Sequence, residues 1–261
     1  MQLVVDVGNT ETVVGLATST TELAAHWRVS SSVPRTGDEM TALIRAFLAG
    51  DGVDESRIMR GVVGSVVPSV NQVWTETLAE ITGGEVISVG PASPLPIELD
   101  VEEPLSVGAD RIVNTLAARE LYGRDTIAVD LGTATTFDCI TGEGVFCGGV
   151  ISPGLKAGLE WLSTRTAKLP TVELKPPEIV IGRRTETCIQ SGVFYQAVDA
   201  VDGIVRRIKE EWGRPEAYVV ATGGFADSMG PYLTTVDRIE PFLTLYGLAM
   251  AGDIIAGGSE A

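Results

Sequence analysis

The sequence predicts an α/β protein built from two related domains, each a mixed sheet flanked by helices. Short β-type runs alternate with amphipathic helical segments along the whole chain. The stretch DVGNTETVVGLA, which begins at Asp6, also aligns without a gap with DLGTATTFDCIT, which begins at Asp130. Because this internal match recurs after about half of the 261 residues, we predict one domain over 1–117 and a second over 118–261.

The first half reads as three strands at hairpin spacing, a helix, and a strand–helix–strand unit. Thr36 or Asp38 is a candidate N-cap of the first helix, and Gly50 is a candidate end. The seven segments are LVVDVG, ETVVGLA, LAAHWRVS, TGDEMTALIRAFLAGDG, IMRGVVGSVVP, VNQVWTETLAEITG and EVISVG.

The second half repeats this order, beginning with a helix that has Ile112, Leu116 and Leu121 on its inward face. Three strands follow this helix, and a glycine-proline turn ends the third strand. Two more helices, a strand and a last helix complete the chain. The segments are GADRIVNTLAARELYG, TIAVDLGTATTFDCIT, GVFCGGVISPG, LKAGLEWLSTRTAKL, TETCIQSGVFYQAVDAVDGIVRRIKEEWG, AYVVATGG and LYGLAMAGDIIAG.

The composition is that of a soluble globular protein, and we expect the protein to be cytoplasmic. A formal charge of −16 argues against nucleic acid and anionic membranes, both of which call for basic patches. No apolar run reaches the roughly 18 residues that span a bilayer. Cys139, Cys147 and Cys188 form no CxxC pair, so we interpret them as reduced core thiols. His26 is the single histidine of the chain and has no partner nearby in sequence. We therefore expect any proton-transferring group to be a carboxylate.

The two Asp-x-Gly turns have two interpretations. Asp, Asn and Gly favour hairpin turns for conformational reasons alone. Glycine also lets backbone N–H groups approach phosphate oxygens closely, and Asp6 and Asp130 would then face Mg²⁺ between carboxylate and phosphate. The duplication favours the phosphate-site interpretation, because unrelated hairpins need not share Asp, Gly and Thr. The chain has no GxxxxGK[ST] motif, so it is not a P-loop protein.

A set of motifs in fixed order resembles the type III pantothenate kinase family, in the actin, hexokinase and heat-shock ATPase superfamily. The motifs are DVGNT, GADRIVN, DLGTATTFD, GGVISPG, RTAKLP and TGG. The resemblance implies two ribonuclease H-like domains of the actin-like fold with an ATP cleft between them. It implies transfer of the ATP γ-phosphoryl group to the hydroxyl of pantothenate, giving 4'-phosphopantothenate, the first step of coenzyme A synthesis. It also implies a homodimer that requires Mg²⁺ and a monovalent cation, K⁺ or NH₄⁺.

Carried over residue by residue, the resemblance makes Asp110 the catalytic proton acceptor and Asp130 the monovalent-cation ligand, and Asp6 is expected to face Mg²⁺ directly or through water. The implied ATP-binding residues are Asp6, Val7, Gly8, Asn9, Thr10, Glu11, Thr12, Val13 and Thr133. The implied pantothenate-binding residues are Gly108, Ala109, Asp110, Arg111 and Thr185. The guanidinium of Arg111 suits either the pantothenate carboxylate or an incoming phosphate.

One departure concerns the segment before GADR. Many members of the family carry a substrate-contacting Tyr there, whereas this chain has IELDVEEPLSVGADR, with Leu99 or Val101 as the residue in its place. Two alternative functions stay open beside pantothenate phosphorylation. One is another small-molecule kinase of the same fold, because phosphate loops do not determine which molecule accepts the phosphoryl group. The other is a non-catalytic nucleotide-sensing regulator, for which Asp110 would be dispensable.

Overall fold

The computed structural model describes residues 1–84, 86–166 and 169–258. These residues form two compact units. Unit 1 contains Met1–Leu121, Gly144–Phe146 and the chain from Leu243 onward, and unit 2 contains Tyr122–Glu143 and Cys147–Phe242. The described part of the chain has no helix that is both long and apolar enough to cross a membrane.

The strands and helices follow the order that the sequence predicts, with two short strands and one short helix (residues 98–99, 238–239 and 226–229) that it did not predict. The strands are β1 (Gln2–Val7), β2 (Glu11–Ser19), β3 (Glu22–Ser30), β4 (Arg60–Ser65), β5 (Val86–Val89), β6 (Glu98–Leu99), β7 (Thr126–Leu131), β8 (Ala134–Ile140), β9 (Val145–Pro153), β10 (Tyr218–Thr222) and β11 (Arg238–Ile239). The helices are α1 (Gly37–Gly50), α2 (Asn71–Thr82), α3 (Ala109–Tyr122), α4 (Leu155–Arg165), α5 (Thr185–Glu211), α6 (Ala226–Met229) and α7 (Leu243–Gly258).

The sheet of unit 1 has the strand order β3-β2-β1-β4-β5. The first three strands are antiparallel, and β4 and β5 continue the sheet parallel to β1. Alternate residues point to opposite faces, and the face that carries Leu3, Val5 and Val63 packs on α1 and α2. Thr36 caps α1, because its side chain accepts from the Glu39 N–H while the Glu39 carboxylate accepts from the Thr36 N–H.

Helix α7 covers the opposite face of the same sheet. Its residue Leu248 lies against Gly64, and Gly252 approaches Val62 so closely that a Cβ there would stand 2.7 Å from the valine methyl group. A large side chain at Gly252 would therefore hold the helix away from the sheet. The last helix of the chain thus belongs to unit 1, whereas the sequence-based boundary grouped it with 118–261.

The second sheet has the order β11-β10-β7-β8-β9-β6. In unit 2, β10 is parallel to β7 and β11, and β8 is antiparallel to β7. One face of β7 and β10, with Ile127, Val129 and Val219, packs on α5. The first two residues of β9 belong to unit 1, where they pair in parallel with β6.

All three cysteines are thiols, but their burial differs from the expectation. Cys139 is half-buried, whereas Cys147 and Cys188 are exposed, so the interpretation of all three as core thiols is wrong for the last two. Cys147 lies on β9 where alternate side chains face outward, and Cys188 lies in the first turn of α5. The absence of a CxxC pair indicates reduced thiols, but it does not indicate whether each side chain points into the core or outward.

Candidate functional site

The first Asp-x-Gly turn joins β1 to β2 in unit 1. The Gly8 N–H donates to the Glu11 carbonyl at 3.2 Å, and a Cβ on Gly8 would stand 2.9 Å from that same oxygen. Glycine is therefore needed for the close approach of the two strand ends. Asn9, Thr10 and Glu11 are exposed at the tip, so their side chains and backbone are accessible to a ligand.

The end of β4 connects this turn to the GADR motif. Asp6 stands opposite Gly64 in the parallel pair of β1 and β4, so the two residues share the face that carries α7. A Cβ on Gly64 would lie 3.4 Å from the Ala109 methyl group, and one on Gly108 would lie 3.1 Å from a Val66 methyl group. The first Asp-x-Gly turn and the GADR motif therefore meet at the carboxyl ends of two parallel strands, the usual ligand position in α/β sheets.

Asp110 lies in the first turn of α3, where the helix dipole favours a negative charge. The Arg111 N–H donates to Asp110 Oδ1 at 2.8 Å. Burial raises the pKa of the Asp110 carboxyl above its ordinary value, although this hydrogen bond and the neighbouring Arg111 charge lower it in part. A carboxylate with a raised pKa is a better proton acceptor at neutral pH than an ordinary aspartate.

The guanidinium of Arg111 lies over the ring of Phe146, with 4.8 Å from Cζ to the ring centroid. Phe146 is only 1 % exposed. Its strand pairs with β6, where Leu99 stands opposite Phe146. The side chain that follows the predicted acceptor in sequence is therefore held against a buried aromatic face, a contact that sequence reasoning did not predict.

The second Asp-x-Gly turn joins β7 to β8 in unit 2. The Gly132 N–H donates to the Ala134 carbonyl at 3.1 Å, and Thr133 is exposed at the tip. The Thr133 carbonyl accepts from the Gly154 N–H at 3.2 Å. A Cβ on Gly154 would overlap the Gly132 and Thr133 carbonyls. The glycine-proline turn of GGVISPG therefore packs directly against this loop.

The TGG motif approaches the same loop from β10. Thr222 stands opposite Asp130 in the parallel pair of β7 and β10. Gly223 has a φ of +89°, and a side chain there would overlap Asp130 Oδ1 and the Leu131 backbone. The Thr222 Oγ1 atom is buried and has no hydrogen-bond partner among the described residues. Unit 2 therefore assembles three of the sequence motifs around Asp130, and Thr222 is a residue that the sequence analysis did not single out.

The first turn is one residue longer than the second. The gap-free alignment of the two stretches is therefore wrong after the glycines. Val7 pairs with Thr12 across the first turn, and Leu131 pairs with Thr135 across the second. The structural counterpart of Thr12 is therefore Thr135 and not Thr136. Both are buried, at 1 % and 6 % exposed, as expected of residues in equivalent positions.

The remaining predictions concern Thr185, the RTAKLP motif and metal binding. Thr185 is the first residue of α5 in unit 2 and is exposed, and its substrate contact stays a prediction. In the RTAKLP motif, Ala167 and Lys168 fall outside the described residues. Within 1–84, 86–166 and 169–258, no three His, Cys, Asp or Glu side chains are grouped closely enough to hold a metal ion.

Comparison with known proteins places these motifs in a family. A family model described as type III pantothenate kinase matches residues 2–207. The chain is 44 % identical over 248 residues to a type III pantothenate kinase of Moorella thermoacetica, covering 95 % of this chain and 97 % of that protein. It is 44 % identical over 248 residues to one of Syntrophotalea carbinolica, covering 95 % and 96 %.

Two solved structures show the fold. Component A of the (R)-2-hydroxyglutaryl-CoA dehydratase of Acidaminococcus fermentans has a TM-score of 0.57 at 12 % identity, covering 100 % of this chain and 99 % of that chain. A ROK family glucokinase from Streptomyces griseus, solved with glucose and AMPPNP, has a TM-score of 0.54 at 12 % identity, covering 98 % and 99 %. The predicted actin-like α/β fold class, with two mixed sheets flanked by helices, is thereby confirmed. The extent of the family match and the identity to its members show that this chain belongs to the type III pantothenate kinase family.

Proposed function

We propose that this chain uses Asp110 to accept the proton of the pantothenate hydroxyl while the ATP γ-phosphoryl group is transferred to it. The observation that carries the proposal is the meeting of the first phosphate turn and the GADR motif at the ends of β1 and β4 in unit 1. Phosphoryl transfer depends mainly on positioning and charge neutralisation, so a phosphate turn beside an acceptor loop is the arrangement it needs.

The first turn has the features of a phosphate-binding loop. Gly8 permits the close approach to the Glu11 carbonyl that shapes the turn, and the exposed backbone at the tip can approach phosphate oxygens. Asn9 and Thr10 add exposed polar side chains at the tip. We assign ATP phosphate binding to the stretch from Asp6 to Val13, with Asp6 toward Mg²⁺. The assignment fits Mg²⁺, which is commonly held by one or two carboxylates together with substrate phosphates and water.

Asp110 and Arg111 have complementary parts in this proposal. The raised pKa of Asp110 suits a proton acceptor for an alcohol that becomes a nucleophile. Arg111 presents a planar cation at the next residue, which suits the pantothenate carboxylate or a phosphate. Gly108 and Ala109 complete the loop, and their tight packing on Val66 and on the end of β4 fixes the start of α3.

In unit 2 we assign the monovalent cation, K⁺ or NH₄⁺, to Asp130. The carboxylate lies against the Gly223 backbone and beside Thr222, and oxygen atoms are the ligands such cations prefer. We assign an ATP contact to Thr133, which is exposed at the tip of the second turn, and a substrate contact to Thr185. When bound, the cations neutralise phosphate charge.

We also propose a cytoplasmic homodimer. Several large apolar side chains of unit 2 are exposed. Exposed apolar surface of this kind is typical of protein–protein interfaces. They are Ile151, Trp161, Ile179, Val180 and Ile181, which are 55 % to 83 % exposed. Sedimentation analysis of the purified protein and of Trp161→Glu should distinguish a dimer from a monomer, and a monomeric parent protein would contradict the proposal.

A coupled assay of ADP release tests the function. It contains purified protein, ATP, Mg²⁺ and K⁺, with and without pantothenate, and a parallel series omits K⁺. We expect ADP release that requires pantothenate and falls when K⁺ is omitted. Release with another small alcohol only would indicate a different kinase of the same fold, and nucleotide binding without any release would indicate a regulator. Loss of the K⁺ dependence in Asp130→Asn would support the cation assignment.

A further inference from the structure

We propose that Phe146 is a positioning residue for Arg111, whose guanidinium it orients toward the carboxylate of the substrate. The inference rests on the proposed function and deepens it, because it assigns a specificity role to a buried residue outside all the motif positions given roles above. It starts from the 4.8 Å distance between Arg111 Cζ and the Phe146 ring centroid.

Phe146 is a fixed platform. It is 1 % exposed and lies in β9, where its carbonyl accepts from the Asp100 N–H at 3.0 Å. Leu99 stands opposite it in the parallel pair of β6 and β9, so the two apolar side chains lie on the same face of the sheet. The ring is therefore held in one orientation, and its face is a fixed contact surface for a cation.

The attraction between a guanidinium and an aromatic face restricts where the cation lies. The long Arg side chain loses rotamer freedom when it binds, and a platform that fixes the group in advance reduces this loss. The forked N–H donors of a stacked guanidinium remain available at its edge for a carboxylate. Arg111 directly follows Asp110, so the direction of its fork also sets where the substrate lies relative to the proton acceptor.

The arrangement also bears on the missing family tyrosine. Leu99 is one of the two residues that stand in its place, and the structure puts Leu99 beside Phe146. The segment thus contributes an apolar wall next to the ring that carries Arg111. We infer that recognition here depends on the stacked cation and its carboxylate partner.

The test compares pantothenate with pantothenyl alcohol, a neutral analogue with an alcohol in place of the carboxylate. The measured quantity is the ratio of kcat/KM for the two substrates in the wild type, Phe146→Leu, Phe146→Tyr, Arg111→Met and the double variant F146L/R111M. Phe137→Leu is the matched control, because Phe137 is an equally buried phenylalanine in unit 2. Thermal unfolding of each variant reports folding.

In Phe146→Leu we expect the preference for pantothenate to fall about threefold to tenfold, mostly through the KM for pantothenate, with the KM for ATP unchanged. Phe146→Tyr should retain most of the preference, because it keeps an aromatic face. In the Arg111→Met background, Phe146→Leu should change the ratio less than about twofold. Phe137→Leu should leave the ratio at the wild-type value.

Equal loss of kcat/KM for both substrates in Phe146→Leu would overturn the inference, since it would indicate a structural role. A full additional loss in the Arg111→Met background would also overturn it, because Phe146 would then act independently of Arg111. If Phe146→Leu fails to fold, the same ratio in Phe146→Met decides. Failure of the wild type to phosphorylate pantothenate would instead overturn the proposed function, and this inference with it.

Discussion

The carboxylate of Asp130 lies directly against the backbone of Gly223, in a space that a side chain on Gly223 would occupy. Two strands that are far apart in sequence create this contact, because β7 and β10 run parallel and place Asp130 opposite Thr222. The glycine has a φ of +89°, so both its conformation and its neighbour exclude a Cβ. The TGG turn therefore fixes the position of the carboxylate to which we assign the monovalent cation.

Gly223→Ala should reduce kcat by about tenfold or more and weaken the response to K⁺, because a 1 Å displacement at a reacting centre has effects of this size. It should also lower the unfolding midpoint, since the alanine is strained at positive φ. Gly192→Ala in α5 is the control, because apart from the adjoining backbone of the same helix no described atom lies within 4 Å of a Cβ there. A Gly223→Ala enzyme with a normal K⁺ response would contradict this account of Asp130.

Asp110→Asn should reduce turnover by about 100-fold, as for loss of a positioned base. The structural change is small, because the Asn carbonyl can still accept from the Arg111 N–H. In the wild type, kcat/KM should fall as the pH decreases through an apparent pKa above that of an ordinary aspartate, since burial raises the pKa of Asp110. Asp110→Asn should lack this limb. Unchanged turnover in the variant would remove Asp110 from the mechanism.

The same substitution should leave stability unchanged or increased at neutral pH. The folded protein binds a proton on Asp110 more tightly than the unfolded chain does, because burial raises the pKa in the folded state. Ionisation therefore reduces stability as the pH rises from the ordinary aspartate pKa through the raised one. Asn does not ionise. Thermal unfolding of both proteins between pH 4 and pH 8 measures the difference, and a variant that is less stable at neutral pH would contradict the prediction.

The features that sequence reasoning predicted depend on local signals. The alternating pattern around Asp6 and Asp130 predicts a strand, a turn and a second strand in each case, and both are present. Thr36 was one of two candidate caps, and the glutamate three residues later is the local signal that favours it over Asp38. Such signals lie within a few residues of each other, so no knowledge of the tertiary fold is needed to use them.

The features that it did not predict depend on pairing between distant segments. The one-residue difference between the two turns appears only in the strand register, which relates Thr12 to Thr135. The two-residue strands β6 and β11 are too short for a periodic signal. The contact of Arg111 with Phe146 joins α3 to β9, and nothing near either residue in sequence indicates it.

Asp202 provides a stability prediction away from the site. It is 5 % exposed in α5, and it accepts hydrogen bonds from the backbone N–H and hydroxyl groups of Thr234 and Thr235. Burial alone would raise the pKa of Asp202, but these hydrogen bonds lower it on balance. Asp202→Asn places an NH₂ group against N–H and hydroxyl donors, so it should reduce the free energy of unfolding by about 2 kcal/mol.

The stabilisation by Asp202 should be present above the ordinary aspartate pKa and lost as the pH falls through the lowered one. Thermal unfolding as a function of pH measures both effects. Asp199→Asn is the control, since Asp199 is an exposed residue on the same helix. An Asp202→Asn protein as stable as the control would show that the hydrogen bonds contribute little.

Thr222→Val should stabilise the ligand-free protein, whereas the same change at Thr126 should destabilise it. Both threonines are 0 % exposed and lie on neighbouring strands of one sheet. Thr126 donates to the Arg124 carbonyl at 2.8 Å, while the Thr222 hydroxyl is buried with no partner among the described residues. Replacing a buried hydroxyl with a methyl group of similar size removes a desolvation penalty of about 1 kcal/mol where the hydroxyl makes no hydrogen bond, and removes a hydrogen bond of similar value where it does. Chemical denaturation without nucleotide or K⁺ measures both changes, and a Thr222→Val protein that loses as much stability as Thr126→Val would contradict the prediction.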